Sequence, residues 1–295
     1  MERTFDWGVE VILWFQQVSP ALDLPFKVFT FMGNEVFFML LMPLFYWCLN
    51  RSTGIRLTIL FLFSAYVNAV AKVLVAQPRP FQYDPRVQQL VRAGGGGLPS
   101  GHTQGAVVVW GYIAARSRRT WLWIVAIALM VFIPLSRIYL GVHFPTDLLG
   151  GYVLGTAMLL IYLRLERSVG AWLKKKGAPW QLGAALALPL LLVLLLPTGT
   201  KHGVTACAMI MGGSAGFVLE SHLVRFESGG IYWKQVLRFL LGGVVLFSLW
   251  LGLRTAFSGL EPEPLYRFFR YTIMGLWVGL GAPWCFVKLQ LARAR

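Results

Sequence analysis

Two histidines, three cations and one carboxylate fall in three short clusters between residues 72 and 147: Lys72-x6-Arg79-Pro80, Pro99-Ser100-Gly101-His102, and Ser136-Arg137-x5-His143-x3-Asp147. Residue types of this kind handle phosphate. Arginine presents a planar fork to phosphate oxygens and lysine a point charge, so the mixture suits a phosphoryl group whose equatorial oxygens need neutralising during transfer. His143 and Asp147 are four residues apart, on one face if a helix begins there, and Pro145 suits its first turn. An aspartate bonded to one imidazole nitrogen fixes the tautomer and leaves the other nitrogen free to attack phosphorus. No cluster of Asp and Glu with metal spacing accompanies these residues. The protein's own cations are therefore expected to stand in for Mg²⁺, with no metal and no cofactor.

Pro99-Ser100-Gly101-His102 precedes an apolar helical run, so Ser100 is a candidate N-cap and the first-turn N–H groups form an anion site. Gly101 allows close approach to the backbone, and Gly94-Gly95-Gly96-Gly97 supplies a pliable loop. Each cluster alone has an ordinary alternative. Pro-Ser-Gly marks many helix starts, Asp147 suits any helix N-terminus, His143 could be an interfacial histidine, and a single cation can snorkel. Snorkelling does not explain three cations beside two histidines, since each costs about 2.5–3.5 kcal/mol deep in lipid.

The elements that must position these groups are membrane helices. The 295 residues are 57% hydrophobic and only 13% charged, with a mean hydropathy of +0.64, a membrane composition. The expected fold is all-α, a polytopic bundle of about nine spans near 31–49, 55–75, 100–116, 120–140, 147–163, 179–197, 203–220, 236–254 and 270–288. Residues 5–18 mix Trp7, Trp14 and Phe15 with Glu10, Gln16 and Gln17, which favours an interfacial helix over a span. The N-terminus lacks a cleaved signal pattern, so targeting is expected to rest on the first membrane helix. The expected organisation is an N-terminal segment 1–30, a motif-bearing core 31–165, a basic connector 166–178 around Lys174–Lys176, and a four-span region 179–295.

The net charge of +15 is scattered between apolar runs, which reads as topology and anionic headgroups; no nucleic-acid partner is expected. One side collects Arg51, Arg56, Arg116, Arg118, Arg119, Arg164, Arg167, Lys174, Lys175, Lys176, Arg225, Lys234, Arg238, Lys288, Arg293 and Arg295, 16 of the 27 basic residues. That bias puts the C-terminus inside and all three clusters outside, at a periplasmic or luminal face. Cys48, Cys207 and Cys285 read as small apolar fillers. GxxxG spacings at Gly151/Gly155 and Gly275/Gly279 permit close helix contacts, those of a homodimer among them.

Lys-x6-Arg-Pro, Pro-Ser-Gly-His and Ser-Arg-x5-His-x3-Asp are the three signatures of the type 2 phosphatidic acid phosphatase (PAP2) superfamily, and the chain resembles it over about residues 31–165 without substitution. The resemblance implies that His143 is the nucleophile, forming a phosphohistidine, and that Asp147 orients it. His102 would protonate the leaving oxygen and then activate water, while Lys72, Arg79, Ser100, Gly101 and Arg137 hold the phosphate. With both histidines near the unperturbed value of about 6.5, a bell-shaped pH dependence is expected. The five-plus-four layout is similar to that of glucose-6-phosphatase and sphingosine-1-phosphate phosphatases. The expected activity is removal of phosphate from a membrane lipid phosphate or diphosphate. A sugar-phosphate phosphatase and a lipid phosphotransferase are the alternatives. A carrier of anions or lipids is a rival from another class, suggested by Asn34, Glu35, Asn68 and Glu220 inside apolar segments.

Overall fold

The computed structural model describes residues 2–117 and 119–294, so Arg118 and Arg295 of the charge count lie outside the described residues. The first elements are α1 (Glu2–Gln16), α2 (Asp23–Phe31), α3 (Glu35–Pro43) with a π-helical continuation (Leu44–Leu49), α4 (Arg51–Val75) and the short α5 (Pro80–Tyr83). They are followed by α6 (Gly101–Ser117), α7 (Thr120–Tyr139), α8 (Pro145–Lys176), α9 (Ala178–Leu194), α10 (Lys201–Leu223), α11 (Tyr232–Ala256), α12 (Glu263–Leu276), a π-helical turn (Trp277–Gly281) and α13 (Ala282–Lys288). Among the described residues the regular elements are all helical.

Among the described residues five helices are long and apolar enough to cross a membrane, and α2 with α3 makes a sixth if that pair, bent by 49°, is one span. Nine were expected. The differences lie in α6 and α9, which have only 17 residues each, and in 270–288, where the π-helical turn interrupts one apolar run. At 1.5 Å per residue, the 32 residues of α8 extend about 48 Å, beyond a hydrocarbon core of about 30 Å. The Lys174–Lys176 run closes this helix, so residues 166–176 continue it. Asp147 in the first turn and the lysines in the last both complement the helix dipole.

Two compact units emerge, residues 1–38 with 67–164, and residues 39–66 with 165–295; the chain crosses between them within α3, α4 and α8. Residues 39–66, placed by sequence with the motifs, thus belong with the C-terminal part. The second unit is built on Tyr46, Trp47, Phe217, Phe226, Leu246, Met274 and Phe286. Glu220, fully buried, accepts from Arg51 Nε at 2.8 Å, Tyr46 Oη at 3.2 Å and the Phe226 N–H at 2.6 Å. Gly275 and Gly279 lie against Gly212, Gly213 and Gly216 of α10, so this GxxxG face is filled by the chain itself.

The first unit carries every sequence cluster. Val9 and Ile12 of α1 pack on Ile138, Phe144 and Leu148. α6 is its most enclosed helix, buried from Thr103 to Val109, because α8 meets it through glycines. A Cβ on Gly151 would stand 2.7 Å from the Ser100 carbonyl oxygen, and one on Gly155 3.1 Å from that of Gln104. The second GxxxG pair is therefore also satisfied within the chain. In α7, Pro134 has no N–H to offer the Met130 carbonyl, and the Tyr152 hydroxyl of α8 donates to it instead at 2.6 Å.

Candidate active site

The three clusters converge in the first unit. Lys72 closes α4, Arg79 precedes α5, Ser100 and His102 open α6, Arg137 sits in the last turn of α7, and His143 and Asp147 flank the start of α8. His143 and Asp147 are both buried, and their side chains meet at 3.0 Å, Nδ1 to Oδ2. The carboxylate accepts only, so Nδ1 carries the proton and Nε2 keeps its lone pair. Asp147 Oδ2 also accepts from the Phe144 N–H at 3.0 Å, and Oδ1 accepts from Gln77 Nε2 at 2.6 Å. Gln77 was not singled out from sequence, being one of the unspecified positions between Lys72 and Arg79.

Three cations act on the His143 ring, with Arg79 at its Nε2. Arg79 Nη1 is 3.4 Å from it and donates to the Val142 carbonyl at 2.8 Å. The other arms of Arg79 donate to the carbonyls of Gly94 (Nη2, 2.6 Å) and Gly95 (Nε, 3.0 Å). Lys72 Nζ donates to Gly96 at 2.6 Å and Gly97 at 3.1 Å. The tetraglycine thus does more than bend, since its four carbonyls solvate two cations. Arg137 donates through Nη1 to Thr30 Oγ1 at 2.5 Å, while its buried Nε has no hydrogen-bond partner among the described residues. Burial, followed by the charges of Arg137, Lys72 and Arg79, holds the His143 imidazole well below the ordinary histidine range. The expectation of a value near 6.5 is thereby corrected.

Ser100 is fully buried; its hydroxyl accepts from the Thr103 N–H at 3.4 Å, and its own N–H donates to the Asp147 carbonyl at 2.9 Å. These bonds tie the start of α6 to that of α8. Gly101 packs against Asn68, whose Oδ1 would lie 3.0 Å from an added Cβ. Asn68 Nδ2 donates to Gln104 Oε1 at 2.7 Å and the Pro99 carbonyl at 3.3 Å, bracing this turn. His102, half-buried, sets Nε2 2.9 Å from Asn34 Oδ1. Of the four polar residues behind the carrier reading, Asn34 and Asn68 thus serve the site, Glu220 is locked in the second unit, and Glu35 is exposed. Among the described residues no three of His, Cys, Asp and Glu gather as a metal-ion site.

Residues 53–170 match the family model described as PAP2 superfamily, and residues 204–294 that of the PAP2 superfamily phosphatase, transmembrane extension. The chain belongs to the PAP2 superfamily. An undecaprenyl-diphosphatase of Sulfolobus acidocaldarius is 31% identical to it over 119 residues, 40% of this chain and 57% of that protein. Sphingosine-1-phosphate phosphatase 1 of Rattus norvegicus is 25% identical over 201 residues, 65% of this chain and 46% of that one. The chain thus spans about half the length of the curated relatives it matches. A transmembrane PAP2-type phosphatidylglycerolphosphate phosphatase of Bacillus subtilis, solved as a crystal structure, shares the fold with a TM-score of 0.50 at 22% identity, over 57% of this chain and 89% of that one. The PAP2 match takes in Lys72, Arg79, Ser100, Gly101, His102, Arg137, His143 and Asp147, but stops short of Asn34.

Proposed function

We propose that this chain is an integral-membrane phosphatase that hydrolyses a lipid phosphate or diphosphate at the extracytoplasmic face, through a phosphohistidine and without a metal. The observation that carries this reading is the two-sided environment of His143. Its Nδ1 is engaged by Asp147 at 3.0 Å, while its Nε2 faces Arg79 among the cations. A neutral imidazole held in this way is a nucleophile aimed at an anion. Nε2 attacks phosphorus, a P–N bond forms, and the bond from phosphorus to the leaving oxygen breaks as His102 supplies that oxygen with a proton. Water then attacks the phosphohistidine, His102 takes the water's proton, the P–N bond breaks, and inorganic phosphate departs. Lys72, Arg79 and Arg137 neutralise the equatorial oxygens, and the Ser100 hydroxyl and the Gly101 N–H at the start of α6 add donors.

A lipid substrate accords with a site at helix ends beside apolar walls, and with relatives named for undecaprenyl diphosphate and sphingosine-1-phosphate. The finer topology we assign has nine crossings, with the short α6 and α9 and the interrupted α12–α13 region as spans and α1 lying in the interface. Charge bias supports the extracytoplasmic side. The test is phosphate release by the purified protein, in EDTA, from phosphatidic acid, phosphatidylglycerophosphate, sphingosine-1-phosphate, undecaprenyl diphosphate and glucose-6-phosphate. Release from at least one lipid, lost in His143→Ala, is expected. Undiminished release by His143→Ala, or activity only when a divalent cation is added, would sink the mechanism.

A further inference from the structure

The turn between α2 and α3 has no counterpart in the sequence clusters, yet it meets two of their side chains. Gly33 N–H donates to the Thr30 carbonyl at 3.0 Å and Asn34 N–H to that of Phe31 at 3.0 Å, closing α2 before α3 leaves at 49°. Three groups of this elbow then face the site. Asn34 Oδ1 lies 2.9 Å from His102 Nε2, and the Thr30 carbonyl also hydrogen-bonds the His102 ring. Thr30 Oγ1, in a residue only 5% exposed, accepts from Arg137 at 2.5 Å. The imidazole rests on Gly33 so closely that an added Cβ would stand 2.5 Å from its Cδ2 and 3.1 Å from its Cγ.

We infer that the Thr30–Asn34 elbow is a positioning element of the active site, with Asn34 holding His102 as a proton donor. The inference rests on the phosphatase reading above. A carbonyl oxygen and an amide oxygen both accept, so together they favour the protonated ring, and the Nε2 proton held by Asn34 Oδ1 is the one passed to the leaving oxygen when substrate is bound. They also fix the ring plane, since Gly33 leaves no space for a second rotamer on that side. An asparagine in an apolar segment is costly without a partner, and His102 is that partner. The elbow lies before the residues that match the PAP2 family model, so the site borrows a part from a segment that carries none of its motifs. Thr30 serves a different function in the same element, setting Arg137 and hence the hold on phosphate.

The test compares kcat on an activated aryl phosphate, 4-nitrophenyl phosphate, with kcat on phosphatidic acid, whose leaving oxygen needs a proton. Asn34→Leu is expected to lose at least about tenfold more on phosphatidic acid than on the aryl ester, a part of the roughly 10²–10⁴ that a positioned proton donor supplies. His102→Ala sets the reference for that pattern. Asn34→Asp keeps an acceptor oxygen and adds a charge; it should retain activity on both esters and move the alkaline limb of the pH profile upward by about one unit. The charged and titratable groups facing His102 are Arg137 of α7, Lys72 of α4, and Arg79 and His143 of the intervening loops, all unchanged in that variant. Equal losses on the two esters, or none, in Asn34→Leu would overturn the inference. If Asn34→Leu does not fold, an unmoved limb in Asn34→Asp overturns it. If His102→Ala itself does not distinguish the esters, the proton-donor reading fails and the inference falls with it.

Discussion

Gln77→Leu isolates the contribution of the groups behind His143, the proposed nucleophile. Asp147 has no exposed surface, and its carboxylate accepts three hydrogen bonds, from His143 and the Phe144 N–H at Oδ2 and from Gln77 at Oδ1. Leucine removes the third, a charge-assisted bond worth about 1.5–3 kcal/mol. Both bonds at Oδ2 survive, so the tautomer of His143 is kept and only the freedom of the carboxylate to turn increases. If about half of the bond is felt as imidazolium character develops on His143, the barrier rises by about 0.75–1.5 kcal/mol, roughly four- to twelvefold in kcat. KM should stay within about twofold, because Gln77 donates to Asp147 and to no phosphate-binding group. Asp147→Asn, which sacrifices the tautomer, should cost far more, on the order of 10³–10⁴ by analogy with other carboxylate–histidine pairs. Steady-state release of 4-nitrophenol from the two variants and the parent, in detergent, measures these numbers. A Gln77→Leu enzyme within twofold of the parent, or as damaged as Asp147→Asn, would refute the reasoning.

Three further outcomes follow from the same geometry. In the proposed mechanism the nucleophile is the neutral form of His143, whose protonation is displaced to acid pH by burial and by Arg137, Lys72 and Arg79. That form persists above the depressed value and is lost as pH falls through it. The acid limb of kcat/KM should therefore have its midpoint below about 6.5, and a midpoint at or above 6.5 contradicts the electrostatic account. Gly151→Ala places a methyl 2.7 Å from the Ser100 carbonyl oxygen and 2.8 Å from Thr103 Cβ. This should push the starts of α6 and α8 apart at a cost of about 1–3 kcal/mol in stability, with roughly tenfold lost from kcat; an unchanged Tm and rate would show that the contact relaxes freely. Glu220→Ala strands Arg51, Tyr46 and the Phe226 N–H. It should destabilise by about 3 kcal/mol, the low end for a broken buried pair because the Arg51 side chain is 26% exposed. Thermal unfolding in detergent reads this loss, and a shift under 1 °C would show that water replaces the carboxylate.

The family was legible in the sequence because the motif residues sit at helix ends, where spacing and helix caps have local signatures. Lys72, Arg79, Ser100, His102, Arg137, His143 and Asp147 all arrive at one place. What sequence did not reveal was their support. Asn34 and Thr30 lie 68 and 107 residues from the side chains they hold, and Gln77 is an amide with no pattern of its own. The signal for Asn34 was its polarity within an apolar run, which points to function without naming the partner. Hydrophobic run lengths identified the helices but not their interruptions. The 49° bend between α2 and α3 and the π-helical turn Trp277–Gly281 depend on tertiary contacts that leave no periodicity. The two GxxxG faces, compatible with a dimer by spacing, are consumed by α6 and α10 of the same chain.

The clamp of Lys72 and Arg79 on the carbonyls of residues 94–97 has a consequence for turnover. Peptide dipoles here act as a built-in solvent, compensating two cations before any anion arrives. In the proposed reaction, capture of a phosphate group is then an exchange of partners, in which charge-assisted bonds replace bonds to neutral oxygens, and affinity is set by the difference between the two. The same exchange runs backwards when inorganic phosphate departs, because the loop can take back the donors. A pocket with three positive charges can in this way favour the dispersed charge of a transition state without holding its product tightly.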